Sequence, residues 1–449
     1  MFTLVTWQDY LAADDKFALV EKAIQSYKDS REFSTALDAA SYFRGENPTV
    51  ARKTILRARK MEGRDAAGRR RVRLTTEDVV GNRIPSAFFY RFVTQQNQFL
   101  LSEGAILPDL HRDALGPDFG RCLSLMGEKA LIHGCCWGYW NGDHLEIIEA
   151  ARNPYSGFFP LVDEITGEVM LGVQFWQIAP EKPMYIRLFE MDGVTVMRLE
   201  GKDLQIVHPK RAYRIQTRKD ILGEEICHQE NYDALPVIPL YANSECRSEL
   251  TPAIRAKIDA YDNILSDFGD NLDRANDVYW VLNNFGGTSD DIAEMLEEIN
   301  RIKAVANLSD GTGNAATAEP HTIEVPYHAR QSALQLLEKE LYQDYMALDM
   351  DALTGSSLTN VAIHCATANL NLKADRYEWQ VRQFISRLID LLGLPAAAVS
   401  FRRQWIANES EMVADIAAMR PDIDRRTALQ LNPYIRPEDI PALLASAPN

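Results

Sequence analysis

The chain has 449 residues, roughly two to three domains' worth, and its 46% hydrophobic and 25% charged content is ordinary for a soluble globular protein. A net charge of −16 disfavours a surface that grips nucleic-acid phosphates throughout, while leaving room for contact with DNA that must not stick. No apolar run approaches a transmembrane helix, so no membrane partner is expected, and the N-terminus lacks the basic and apolar regions of a signal peptide.

Six cysteines (Cys122, Cys135, Cys136, Cys227, Cys246 and Cys365) form no C-x-x-C, which reads as reduced cytosolic thiols without a disulfide framework or zinc site. Residues 10–43 are helical in pattern, with Phe17, Val20 and Ile24 on one face and Ala36, Ala40 and Phe43 on another. Tyr42-Phe-Arg-Gly-Glu-Asn-Pro48 carries helix-stop and turn chemistry. A basic segment follows, from Arg52 to Arg73, and reads either as a phosphate- or partner-facing patch or as a solvated helix and loop. Residues 82–102 predict an aromatic-rich helix, and residues 117–133 another.

From His133 to about Asn243 the pattern turns to short β-rich runs. Leu145–Glu149, Val169–Ile178, Tyr185–Phe189, Val194–Leu199, Leu204–Val207 and Ala212–Gln216 are separated by turns such as Asn141-Gly142, Thr166-Gly167 and Asp192-Gly193. They predict hairpins of an antiparallel sheet. The two prolines of Leu235-Pro-Val-Ile-Pro239 put that run at a sheet edge or in an extended connector.

Residues 251–278 predict a helix with two opposed stripes. Ile258, Tyr261, Leu265, Phe268 and Leu272 form a packing seam. Asp259, Asp262, Ser266, Asp270, Asp273 and Asp277 recur at three- and four-residue steps roughly opposite. The acidic stripe reads as a solvated face or as a wall that repels phosphate. Residues 278–326 predict a small α/β module, with a strand at Val278–Leu282, a helix at Asp290–Arg301 and strands at Lys303–Leu308 and His321–Val325. A helix over residues 327–350 follows, with a seam of Leu334, Leu337, Leu341, Tyr345 and Leu348. A polar break leads into a helix over residues 358–392, about 50 Å long at ~1.5 Å per residue.

No phosphate-binding, dinucleotide, zinc-protease or nucleophile-elbow motif is present, and the eight histidines are scattered. The aspartates spread along one helix instead of converging as two-metal ligands do. No catalytic residue, metal or cofactor is therefore expected.

The layout resembles the portal proteins of tailed double-stranded DNA bacteriophages. The resemblance rests on Ile258-Asp-Ala-Tyr-Asp-Asn-Ile-Leu-Ser-Asp267, Ala368-Asn-Leu-Asn-Leu-Lys-Ala374, Tyr42-Phe-Arg-Gly45, the expected Asn82–Gly104 helix, Leu235-Pro-Val-Ile-Pro239, Asn408-Glu409 and Thr427-Ala-Leu-Gln-Leu-Asn-Pro433, in order and spacing. Thr359-Asn360 stands where the family often has Ser-Gly.

The resemblance implies an α+β portal fold and a ring, usually of twelve copies, at one capsid vertex of the virion, assembled in the host cytoplasm. Double-stranded DNA passes through it transiently and without sequence preference. Its parts would be a wing (1–249), stem helices (250–277 and 327–350), a clip (278–326), a tunnel loop (350–359), a long wing helix (358–392) and a C-terminal wing and crown part (393–449). The acidic stripe Asp259, Asp262, Ser266, Asp270, Asp273 and Asp277 would line the channel. Asp351, Leu353, Thr354, Gly355, Ser356, Ser357, Leu358 and Thr359 would form the loop. Asp290, Asp291, Glu294, Glu297, Glu298 and Arg301 on the clip would meet partners. Those partners are the terminase large subunit, major capsid and scaffolding proteins, and a head-completion adaptor. The alternative is a non-viral structural or adaptor protein with a helical hub and a β-rich binding domain.

Overall fold

The computed structural model describes residues 5–64, 70–201, 203–219, 225–275, 278–283, 317–322, 327–351, 360–403, 409–432, 434–435 and 440–445. Helices α1 (Trp7–Ala12), α2 (Lys16–Lys28), α3 (Arg31–Phe43) and α4 (Pro48–Ala51) precede a ribbon of β1 (Thr54–Arg64) and β2 (Arg70–Val80). Helices α5 (Phe88–Leu101), α6 (Asp109–Leu115) and α7 (Phe119–His133) follow. A β-rich stretch then runs through β3 (Cys135–Trp140), β4 (Leu145–Glu149), β5 (Ala151–Asn153), β6 (Ser156–Val162), β7 (Val169–Trp176), β8 (Met184–Glu190), β9 (Gly193–Glu200), β10 (Asp203–Arg211), β11 (Arg214–Lys219), β12 (Glu225–Glu230) and β13 (Val237–Tyr241). The remainder comprises α8 (Pro252–Ala275), β14 (Val278–Asn283), β15 (Thr317–Thr322), α9 (Tyr327–Tyr345), α10 (Asn360–Leu391), α11 (Glu409–Met419), α12 (Arg425–Leu431) and α13 (Ile440–Ala445). The architecture is α+β with antiparallel strand pairing throughout the described sheets. No described helix is long and apolar enough to cross a membrane.

The chain divides into two units. The first holds Met1–Arg44, Ala87–Thr251 and Tyr342–Asn449; the second holds Gly45–Ser86 and Pro252–Leu341. The division is thus not contiguous in sequence: residues 45–86 group with 252–341 rather than with the remainder of 1–249.

In the first unit, side-chain caps start the N-terminal helices. Thr6 and Asp9 close a capping box, Asp15 accepts from the Phe17 and Ala18 N–H groups, and Ser30 accepts from Phe33 N–H. Three helices therefore occupy what the sequence suggests as one helical region. Their buried Tyr10, Val20, Ile24, Tyr27 and Phe33 pack against Phe159, Leu171, Val173, Phe175 and Ile186 of a six-stranded sheet ordered β10-β9-β8-β7-β6-β5. Phe17 is exposed rather than sharing the buried face of Val20 and Ile24. A second sheet, β13-β3-β4, has the proline-containing β13 at its edge. Its Trp137 and Tyr139 pack with Phe158, Phe189 and Tyr213.

Helices α5, α7 and α10 close the first unit. A Cβ on Gly127 of α7 would fall 2.1 Å from the Tyr377 hydroxyl of α10, so only glycine permits this approach. Tyr377 Oη donates to Asn97 Oδ1 of α5, and Asn97 Nδ2 donates to the Ser124 carbonyl of α7. Three helices are joined by that one amide.

At the outer edge of the six-stranded sheet, β10 pairs regularly with β9 from Asp203 to Ile206 and then shifts register twice before Arg211. Ile206 and Val207 are exposed there.

In the second unit, the basic segment folds as a two-stranded ribbon, β1 against β2, from Thr54↔Val80 to Arg64↔Arg70. This corrects the reading of a helix and loop. Strands β14 and β15 pair between α8 and α9 in chain order. The predicted helix 290–301 and strand 303–308 lie outside the described residues.

Candidate functional site: a carboxylate helix and a lysine junction

Helix α8 carries five of the six residues expected to line a channel, and Asp277 lies outside the described residues. Asp262 and Ser266 are 0% exposed and Asp270 is 7% exposed, all within the second unit of a single chain. Side chains already enclosed by their own subunit cannot line a channel, so the expectation is corrected for these three. Asp259 is half-buried, and the side chains of Asp273 and Asp277 lie outside what is described.

What encloses them is residues 82–86, which were expected to begin a helix. That segment has no helical structure, and α5 starts only at Phe88. Asn82 N–H donates to Asp270 Oδ1 (2.6 Å), Ile84 N–H to Ser266 Oγ (3.1 Å) and Ser86 N–H to Asp262 Oδ1 (2.9 Å). The rungs follow from geometry. Every second residue of an extended chain advances ~6.6 Å, and every fourth residue of a helix advances ~6 Å. Alternate N–H groups of residues 82, 84 and 86 therefore meet positions 270, 266 and 262 in antiparallel order. Pro85 sits between two rungs and withholds no donor the ladder uses.

The other end of the ribbon is held by the same helix. Asn47 caps α4 by accepting from Thr49 N–H, and its Nδ2 donates to Asp262 Oδ2 at 2.7 Å. Lys53 Nζ lies 2.7 Å from Asp267 and 3.9 Å from Asp270, and donates to the Asn263 carbonyl. Arg83 donates twice to the Lys53 carbonyl, linking the two ends of the ribbon. Burial pushes the Asp262 carboxyl upward, outweighing the hydrogen bonds from Ser86 and Asn47 that favour its charge.

The expected packing seam behaves the other way. Ile258 is buried, but Tyr261, Leu265 and Phe268 are half-buried and Leu272 is 47% exposed. In the isolated chain the polar stripe of α8 is the better buried one.

The first unit contains a second polar centre, which the stripe pattern did not flag. Lys373 of α10 donates to Glu249 Oε2 at 2.8 Å and to the Tyr345 carbonyl at 2.9 Å, and its Nζ stands 3.2 Å from the Tyr345 ring centroid. Three contacts thus use the three protons of the ammonium. Glu249 Oε1 accepts from Asn243 Nδ2. Burial lowers the pKa of Lys373 against the opposing pull of Glu249.

Tyr345 is the last residue of α9, which was expected to reach Met350. Met346 turns out of the helix with a φ of 63°, a left-handed conformation unusual for a residue with a side chain. Helix α5 grips the turn. Tyr345 stacks on Phe92 with ring centroids 4.6 Å apart, and its hydroxyl donates to Gln96 Oε1. Gln95 accepts from Leu348 N–H and donates to the Leu348 carbonyl. Asp351 is exposed just beyond. Of the expected tunnel loop, Leu353, Thr354, Gly355, Ser356, Ser357, Leu358 and Thr359 lie outside the described residues, as do Asp290, Asp291, Glu294, Glu297, Glu298 and Arg301.

These elements define a mixed α+β protein in which buried charge holds separate chain segments together. The chain belongs to the phage portal protein family of the SPP1 Gp6-like type, which it matches over residues 199–440, just over half its length. It is 23% identical over 374 residues to the portal protein of Clostridium phage phiCD119, covering 79% of this chain and 77% of that protein. To the portal protein of Bacillus phage SPP1 it is 25% identical over 413 residues, covering 84% and 77% respectively. It is a bacteriophage portal protein, from a family that is structural rather than enzymatic, with the packaging and capsid roles its family name carries.

Proposed function

We propose that this chain assembles into a closed ring of about twelve copies at one capsid vertex, and that the ring is the channel for packaging and ejecting double-stranded DNA. The observation that carries the reading is the family match across residues 199–440, which spans α8, the β14–β15 pair, α9, the segment after it and α10. Residues 250–277 and 327–350 would be the stem, 278–326 the clip and 350–359 the tunnel loop. The clip surface at Asp290, Asp291, Glu294, Glu297, Glu298 and Arg301 would meet the terminase large subunit during packaging and the head-completion adaptor afterwards. Major capsid and scaffolding proteins would contact the outside of the ring.

The slippery-channel idea now rests on fewer residues. Asp273 and Asp277 remain proposed channel residues, because a negative wall adds no attraction to phosphate and a moving polyanion needs low affinity. Native mass measurement and negative-stain imaging of the purified chain test the ring. Closed rings of about a dozen subunits are expected; a monomer or dimer under assembly conditions refutes the reading.

A further inference from the structure

The chain leaves the first unit after Thr251 and returns to it at Tyr342. Those two crossings carry every covalent link between Pro252–Leu341 and the first unit. Glu249 lies just before the outgoing crossing, and Tyr345 just after the returning one. Lys373 binds both, the first through its carboxylate and the second through its backbone carbonyl and ring. The outgoing side is braced further. Glu249 N–H donates to the Leu131 carbonyl of α7, and Asn243 Nδ2 donates to both Glu249 Oε1 and the Arg247 carbonyl. The returning side is braced by Gln95 and Gln96 of α5.

We propose that Lys373 is a positioning residue that ties the two crossings to each other, so that the two ends of Pro252–Leu341 are fixed together. The chemistry favours a pin over simple core filling. An apolar side chain of equal length would fill the space, but it could not donate to a carboxylate and a helix-terminal carbonyl at once. Helix α9 ends at Tyr345 with carbonyls that have no partner inside the helix, and the ammonium supplies one. The proposal rests on the portal reading for its consequence: Pro252–Leu341 contains the proposed stem and clip, so the pin would hold their root steady while DNA passes.

The test compares the full-length wild type, Lys373→Met, and the double variant Glu249→Gln/Lys373→Met. Removing Lys373 alone strands a buried carboxylate and is expected to destabilise the fold. The double variant removes both charges at nearly unchanged volume, so its melting temperature and ring assembly should lie close to wild type. Amide exchange is then read at residues 249–251 and 345–349. The pin predicts exchange at least tenfold faster at both crossings in the double variant. It also predicts at least a tenfold loss of DNA-filled heads in a packaging reaction with cognate terminase and procapsids. Wild-type exchange at either crossing in the double variant overturns the pin. Faster exchange with normal packaging overturns the positioning role. If wild-type protein forms no rings and packages nothing, the portal reading fails instead, and the exchange pattern still decides whether Lys373 joins the crossings.

Discussion

The ladder on α8 and the junction at Lys373 solve one problem in two ways. Each uses buried charge to hold a chain segment distant in sequence. On α8 the acceptors are spread along the helix and take three backbone N–H groups plus one amide, with Lys53 as a cation at one side. At Lys373 one donor serves two segments at one point, and it carries its counter-charge with it in Glu249. A ladder should lose its grip rung by rung, whereas a pin should lose it at once.

The largest effect should come from Asp262→Lys. It would set an ammonium against Asn47 Nδ2 and the Ser86 N–H, leaving three donors and no acceptor in a closed site. About 4–5 kcal/mol of destabilisation is expected, the scale of an uncompensated buried charge. Urea denaturation checks it, and a loss under about 1 kcal/mol would mean the site opens readily to water. Glu249→Gln should follow at about 3 kcal/mol, because the Lys373 ammonium stays buried without its counter-charge. Equal denaturation midpoints for Glu249→Gln and wild type would show that the junction is held by the Tyr345 carbonyl and ring alone.

Smaller changes separate ladder from pin more finely. A Cβ on Gly81 would fall 2.8 Å from Asp270 Oδ2 and 2.9 Å from Ile55 Cγ2, so Gly81→Ala should push that carboxylate off the Asn82 N–H at a cost of about 2 kcal/mol. Ser266→Ala removes one rung and leaves the Ile84 N–H without its acceptor, for about 1 kcal/mol. A Ser266→Ala loss as large as that of Asp262→Lys would make the ladder all-or-none and erase the contrast.

The smallest expected effects are the pH slopes, which should have opposite signs at opposite ends of the scale. Asp262 is raised above 3.8, so between that value and its folded pKa the native state keeps a proton the unfolded chain has released. Its contribution to stability is full below that window and falls as pH rises through it. Lys373 is lowered below 10.5, so between its folded pKa and 10.5 the unfolded chain keeps the proton, and stability rises with pH there. Stability measured against pH should lose the acid-side slope in Asp262→Asn and the alkaline-side slope in Lys373→Met. Unchanged slopes in both variants would show that neither group carries linkage.

Element type was largely readable from the sequence, and element partners were not. The three- and four-residue steps of α8 correctly divide it into two faces. They cannot say which face is covered, because the cover is backbone N–H from residues 82–86, and amide donors leave no mark on a side-chain pattern. The same donors explain why a helix expected from residue 82 starts at Phe88. Strand β6 is not among the predicted runs, and its Pro160 is a residue type that argues against an interior strand. The proline is tolerated because β5 pairs with β6 only at Ser156 and Gly157, so no neighbour on that side asks Pro160 for an N–H. Lys373 sits in a run that resembles the family, yet a lone lysine on a long helix reads as solvated. Only the proximity of Glu249 and the end of α9 shows otherwise.

The double register shift of β10 matters for a protein that lives among copies of itself. A regular outer strand offers a continuous row of donors and acceptors, and an identical strand on another copy can complete it. Here the row is interrupted beyond Ile206, at a stretch where Pro209 supplies no donor. Two such edges brought face to face would mismatch. Subunits can therefore be concentrated at a growing particle without zipping into fibres through their sheets, which leaves association to surfaces shaped for it.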